Sequence, residues 1–367
     1  MIQHNKGRVA KQAHVGVPEG LYEDELGRQG FSGRVALFYR RHPPIEITRI
    51  EGRLATRAMR GYELTPPDQN DPKGTPIKIL YNDDLRYFVS RRSMPMPFYF
   101  RNADGDEIHF VHRGHGIIES EFGALPYEEG DFIVIPKGVT YRIVPETKDN
   151  YSVIVEARGE VILPDRGLIG QFAPFDTGVF VYPELCEFRD DGRAEYEVRI
   201  KREDEFSSAF YAFCPLDVEG WKGTLCVFKF NARDFRSLND DRVHLPPSAH
   251  AIFQAPGFIY GLFAPRRLEL DKDAVRVPWY HRNIDYDEIY FVHRQKRGFD
   301  GREGAPGILL LFPQGIHHGL PREAYDADRA NELPGDGLDF YIVGVDAERP
   351  VKLTREAEAV SMTTSSA

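Results

Sequence analysis

Residues 100–113, Phe-Arg-Asn-Ala-Asp-Gly-Asp-Glu-Ile-His-Phe-Val-His-Arg, return at 281–294 as His-Arg-Asn-Ile-Asp-Tyr-Asp-Glu-Ile-Tyr-Phe-Val-His-Arg. The two runs align without gaps and differ only where Phe100 meets His281, Ala103 meets Ile284, Gly105 meets Tyr286 and His109 meets Tyr290. Further on, Gly130-Asp-Phe-Ile-Val-Ile-Pro136-Lys-Gly138-Val-Thr-Tyr141 matches Gly307-Ile-Leu-Leu-Leu-Phe-Pro313-Gln-Gly315-Ile-His-His318. Each copy reads as a strand bearing a carboxylate, then a Gly-x5-Pro-x-Gly turn entering another strand. A repeat of this size predicts two related domains, placed at 1–175 and 176–355, with 356–367 as a flexible tail.

Outward from the repeat the chain reads as all-β. Short alternating runs recur at 152–156, 161–164, 178–182, 225–230 and 258–263, set between clusters rich in Gly, Pro, Asn and Asp. Such runs with frequent turn residues are the pattern of sandwiches and barrels. Helical periodicity is confined to a short stretch near 321–331, and 65–76 reads as a loop. The 367 residues suit about two domains, and 41% hydrophobic with 28% charged residues describes a globular chain rather than a disordered one. A formal net charge of −10 argues against nucleic acid or an anionic membrane as partner. No apolar run approaches the length of a membrane helix, and the polar residues 1–10 lack a signal-peptide core. Cys186, Cys214 and Cys226 are too few and too scattered for a disulfide framework. A cytoplasmic location is expected.

The spacings resemble the two cupin motifs, His-x-His-x3–4-Glu-x6-Gly and Gly-x5-Pro-x-Gly-x2-His-x3-Asn. In the second copy His281, Glu288 and His318 fall on the ligand positions, while Asn283, Gln295 and Arg322 replace the second His, the closing Gly and the final Asn. In the first copy Glu107 and Gly114 fit, but Phe100 and Tyr141 stand where two His ligands belong. The resemblance implies a bicupin, two double-stranded β-helix (jelly-roll) domains with little helix, with one metal site in the C-terminal domain. Two His and one carboxylate on a β-scaffold make the facial triad of non-haem Fe(II), with open positions for substrate and oxygen. His317 is a weaker candidate, facing outward or supporting the site. His109, His112, His115 and His293 read as structural. Neither a His-Glu-x2-His helix nor a nucleophile elbow occurs.

The stretches Cys214-Pro-Leu-Asp-Val-Glu-Gly-Trp221-Lys-Gly-Thr, Phe228-Lys-Phe-Asn-Ala and Pro278-Trp-Tyr-His281-Arg-Asn, with the late His318-Gly319 pair, resemble the homogentisate 1,2-dioxygenase family. Weaker similarity, including Glu121-Phe-Gly123 and Leu163-Pro-Asp165, extends it over most of the chain. The resemblance implies Fe(II) held by His281, Glu288 and His318, and ring cleavage of homogentisate by O2 in tyrosine and phenylalanine breakdown. Glu288 sits one residue further from its His than in typical members, which leaves Asp287 as an alternative carboxylate. On the substrate side Lys222 stands where the family has a His, Arg297 where it has a Tyr, and Phe312 where it has a second His; Asn283 and His317 complete the substrate-side candidates. Lys222, with a reference pKa of about 10.4, suits a cation that stabilises a phenolate or carboxylate, and Arg297 could clamp a carboxylate. These departures keep gentisate or a hydroquinone open as substrate, and a non-catalytic bicupin binding a small ligand stands as the rival from another class. The resemblance also implies a homo-oligomer, trimer or hexamer.

Overall fold

The computed structural model describes residues 4–188, 191–299, 301–333 and 335–363. An N-terminal arm carries β1 (Tyr22–Gly27), β2 (Val35–Arg40) and β3 (Arg57–Arg60). Around the first repeat come β4 (Ile77–Tyr81), β5 (Leu85–Ser90), β6 (Tyr99–Asn102), β7 (Asp106–Arg113), β8 (Gly116–Ser120), β9 (Gly123–Tyr127), β10 (Asp131–Ile135), β11 (Thr140–Pro145) and β12 (Tyr151–Ala157). Next are β13 (Tyr196–Arg202), β14 (Glu205–Tyr211), β15 (Phe228–Asn231), β16 (Ala251–Ala255), β17 (Phe258–Phe263) and β18 (Arg266–Arg267). The second repeat occupies β19 (Tyr280–Asn283), β20 (Asp287–Arg297), β21 (Ile308–Phe312), the helix α1 (Arg322–Arg329) and β22 (Gly337–Ala347). The described chain closes with β23 (Lys352–Leu353), α2 (Arg355–Ala359) and β24 (Ser361–Thr363).

The repeat is visible in the pairing. β7 lies between β10 and β12, as β20 lies between β21 and β22. Tyr141 of β11 pairs opposite Phe100, and His318 bridges to His281 in the same way. Two runs expected as strands, 161–164 and 178–182, supply only single bridges, Ile162 to Gln254 and Val181 to Lys229. Pro164, which has no N–H to donate, and Gly178, inside a 3-10 turn, interrupt them.

The sheets do not follow the expected division at residue 175. β1 pairs in parallel with β19, setting Glu25 beside His281, and β3 pairs with β21. The first unit is completed in the same way from the other direction: β13 pairs in parallel with β6, setting Arg199 beside Phe100, while β23 caps β4. Nor are residues 356–363 a loose tail. Thr354 caps α2, Ala357 is buried, and β24 pairs with β3. Residues 364–367 lie outside the described residues.

Period-two alternation gives β7 and β20 two working faces. Ile108 and Phe110 on β7, with Ile289 and Phe291 on β20, turn toward one another in a core that both units share. His112 and His293 sit on that side also, joined Nδ1 to Nδ1 at 2.8 Å. Glu107 and His109, and correspondingly Glu288 and Tyr290, point the other way, each pair into its own unit.

Burial pushes His112 down to about 3 and His293 to about 4, helped by the charge of the partner His and of Arg113 and Arg91 in the first case and of Arg294 in the second. Both are therefore neutral in the folded chain at pH 7, while the unfolded chain takes up their protons below about 6.5. Their contribution to stability is present above pH 6.5 and is lost as the pH falls through that value toward 4. Denaturant midpoints measured from pH 7 to 4 should fall less steeply for a His112→Phe/His293→Phe chain than for the parent. Identical slopes would show that the pair does not supply the dependence.

Candidate metal centre

Three separate segments build the cluster of His281, Glu288 and His318, whose ligand atoms all lie within 4.8 Å of one another. His281 comes from β19, Glu288 from the start of β20, and His318 from the segment that bridges back to β19. All three side chains are buried. His318 Nε2 lies 3.0 Å from Glu288 Oε2 and His281 Nε2 lies 3.5 Å from Glu288 Oε1. For an ion with ligand bonds of about 2.1 Å, adjacent ligands are separated by about 3 Å, so these edges fit.

The surroundings aim the donors. The Nδ1 of His281 meets the Trp279 carbonyl at 2.8 Å, and that of His318 meets the Ile316 carbonyl at 3.3 Å. Tying Nδ1 to a carbonyl presents Nε2 to the centre. His281 Nε2 is buried yet has no hydrogen-bond partner. A polar atom in that position costs stability unless something fills the site, and a divalent cation is the filling that two imidazoles and a carboxylate would take. Burial alone would raise Glu288, but the charges of His318 and His281 and the hydrogen bond from His318 outweigh it and hold the carboxylate below its usual range. His281 moves the other way, lifted by Glu288 against burial. Its proton must therefore leave when a metal ion binds.

Asp287 has another task. Its two oxygens accept backbone N–H groups of Gln314 and Val351, each at 2.8 Å. Asp106, its counterpart in the first unit, does the same for Lys137 and Val161. The geometry thus favours Glu288 over Asp287 as the metal-facing carboxylate.

The remaining sequence-derived candidates divide. Asn283 donates to Glu288 Oε1. Phe312 stacks on the His318 ring, centroids 4.5 Å apart at 17°. His317 turns outward, toward Arg282 at 2.6 Å and Asp24 at 3.2 Å. Two candidates lie apart from the triad within this chain. Lys222 is exposed on the loop between β14 and β15, next to Trp221, whose ring packs against Phe122 of the first unit. Arg297 is exposed at the far end of β20, nine residues and about 30 Å of strand from Glu288.

Other residues surround the cluster without having been foreseen. The Tyr290 hydroxyl donates to Glu288 Oε2 at 2.9 Å, and Phe31 sets its ring edgewise on His281 at 4.9 Å. Asp346 pairs with Glu288 across β22, and burial with the Glu288 charge holds it well above the carboxylate range. Tyr290 was within reach of the strand period, two positions past Glu288. Phe31 carried no local signal, because it reaches the site from the far end of the chain. Changing Tyr290 to Phe removes one of the hydrogen bonds that orient the carboxylate and is expected to weaken Fe(II) binding by about 10- to 100-fold. Anaerobic competition with a chelator measures this, and unchanged affinity would remove Tyr290 from the site.

A second cluster among the described residues, Asp104, Glu156 and Asp204, already holds a cation. The Lys201 ammonium lies 2.5 Å from Asp104, 2.8 Å from Glu156 and 3.2 Å from Asp204.

A family model for the N-terminal region of homogentisate 1,2-dioxygenase matches residues 69–232. A Saccharolobus solfataricus protein whose dioxygenase name is itself provisional is 28% identical over 98% of this chain and 97% of its own. The homogentisate 1,2-dioxygenase of Nitrobacter hamburgensis is 29% identical over 73% of this chain and 57% of its own length, so the match spans little more than half of that enzyme. A solved cupin 2 conserved barrel domain protein from Leptotrichia buccalis aligns over 74% of this chain and 88% of its own, at 12% identity and a TM-score of 0.32. The chain is a largely β, multi-sheet protein with little helix and a candidate metal centre. It is related, at low identity, to dioxygenases.

Proposed function

We propose that the chain is a bicupin whose second unit is an Fe(II)-dependent ring-cleaving dioxygenase, with His281, Glu288 and His318 as the iron ligands and a dihydroxylated aromatic acid, homogentisate first among them, as substrate. The unpartnered Nε2 of His281, facing Glu288 and His318, carries this reading. Ferrous iron bound by such a triad supplies open positions where a diol and O2 can meet and exchange electrons. The chain's own part is to hold the three donors in place and to keep water away with Phe312, Phe31 and Trp279. The space on the His318 side, about 1090 Å³ including its mouth, is bordered by Arg49, Arg53 and Arg57, cations that suit the carboxylate of homogentisate or gentisate.

The positions of Lys222 and Arg297 favour a second reading, a related dioxygenase for another diol, because neither residue reaches the triad as the homogentisate resemblance implies. Oxygen uptake by anaerobically purified, Fe(II)-loaded protein separates the two. The first reading expects uptake with homogentisate that is lost in His318→Ala, and the second expects turnover of gentisate or hydroquinone instead. Stoichiometric iron with no turnover of any of the three would overturn both and leave a binding protein.

A further inference from the structure

The first unit has lost two metal ligands and kept a hollow interior. Alternation turns one face of its strands toward that interior. Glu107 and His109 on β7, Ser152 and Ile154 on β12, and Phe88 and Ser90 on β5 share this face across the sheet. Arg92, two residues beyond Ser90, follows the same alternation inward and is buried. Two adjoining chambers lie there. The larger, about 950 Å³ including its mouth, has largely aromatic walls, Phe88, Phe98, Phe100 and Phe206 among them. The smaller, about 370 Å³, is more polar, with Ser90, Asn150 and Ser152 in its lining. Arg92 and His109 border both. An aromatic enclosure with a few polar groups at one end is the usual lining of a small-molecule site.

The cations of the larger chamber are paired with one exception. Lys201 lies between Asp104 and Glu156, Lys78 meets Asp204 at 3.0 Å, and Arg199 meets Glu197 at 2.7 Å. Arg92 instead donates to the backbone carbonyls of Pro72 and Gly74, and among the described residues no carboxylate forms an ion pair with it. Asp68 acts on it only from a distance, because its oxygens accept from the Ser90 hydroxyl and the Arg91 N–H. A buried guanidinium without a carboxylate is costly, and burial draws its pKa below the ordinary value. The two carbonyls take two of its five N–H groups, which leaves donors for a ligand.

The negative charge is placed differently. Glu107 lines the larger chamber alone. It accepts from Asn102 at 2.9 Å and from the Tyr141 hydroxyl at 2.5 Å, and His109 Nε2 lies 3.4 Å away. A ligand amine would compete with these donors for Glu107, whereas a ligand carboxylate would meet donors that Arg92 has spare. A neutral ring would leave the guanidinium without its counter-charge.

From this we propose that the first unit binds an aromatic carboxylic acid, its ring among the phenylalanines of the larger chamber and its carboxylate on the guanidinium of Arg92. The site is separate from the proposed iron centre and does not depend on its chemistry.

The test uses the full chain and fluorine NMR with 4-fluorobenzoate, its neutral isostere 4-fluorobenzamide, and 4-fluorobenzylamine. The benzoate should bind at least tenfold more tightly than the amide or the amine, and should do so after chelation and in His318→Ala. In Arg92→Met the benzoate should fall to the affinity of the amide, while the amide binds as it does to the parent. A loosened loop at Pro72 and Gly74 would weaken both probes alike, so the selectivity separates contact from support. Ile154→Trp, which fills the larger chamber, should abolish benzoate binding, and it decides the matter if Arg92→Met misfolds or loses the amide as well. Equal binding of the three probes to the parent, no binding of the benzoate, a preference that survives Arg92→Met, benzoate binding retained in Ile154→Trp, or loss of binding with the metal would each overturn the proposal.

Discussion

A Glu288→Gln chain is expected to retain less than about one hundredth of the parent's affinity for Fe(II), and to lose ring cleavage with it. Removing a partner that merely orients a metal ligand costs about 10- to 100-fold, and here the charged ligand itself is neutralised. Gln keeps the shape of Glu; its one oxygen can still accept from Asn283 and its NH2 can donate to the Tyr290 hydroxyl oxygen, so the local packing survives while the negative charge that holds the cation is gone. The repeat supplies its own control. Glu107→Gln alters the same position in the first unit, where Tyr141 and Phe100 replace the histidines, and should leave iron content and oxygen uptake unchanged. Metal analysis after anaerobic loading reads both variants. Stoichiometric iron in Glu288→Gln would end the triad assignment.

Phe132→Ala is expected to destabilise the whole chain by about 3–5 kcal/mol, the usual cost of emptying a buried phenylalanine site. The Phe132 ring is fully buried and stacks on Phe230 at 5.1 Å, with edge contacts to Phe253 at 6.4 Å and Tyr260 at 5.9 Å. Phe253 and Tyr260 belong to β16 and β17, in the sheet that contains β20. The cavity would therefore open in a core that both units share. The chain's two tryptophans can report on this separately. Trp221 packs on Phe122 of the first unit, and Trp279 stacks with His14 at 3.5 Å beside the metal centre. Chemical denaturation of Trp221→Phe and Trp279→Phe backgrounds should show one midpoint, lowered equally by Phe132→Ala. A shift confined to one tryptophan would mean that the units unfold independently.

The residues that could be read in advance are those whose role depends on near neighbours in the chain. The matched runs at 100–113 and 281–294 announced two like units, and the Gly-x5-Pro-x-Gly spacing drew His318 rather than His317 toward Glu288. The loss of both histidines from the first copy pointed to the second as the metal-binding one. Alternation along β7 and β20 follows from the same local logic. The strand period sets which side chains share a face before any partner strand arrives.

Other features became visible only once strands far apart in sequence had paired. The choice between Glu288 and Asp287 turned on the backbone N–H groups of Gln314 and Val351. Arg297 lay close to Glu288 in sequence but was carried away because β20 stays extended over eleven residues, past two irregularities in its pairing with β22. Lys222 was placed by a motif, yet its loop lies with the sheets of the first unit. Strand pairing crosses the expected division at 175, because β1 and β3 return to the second repeat and bring Glu25 and Phe31 to His281. Composition and period describe what a strand can bury on each face. They do not name the edge to which it will bond, because backbone hydrogen bonds are nearly alike for every sequence and partner choice is settled by the packing of the assembled sheets.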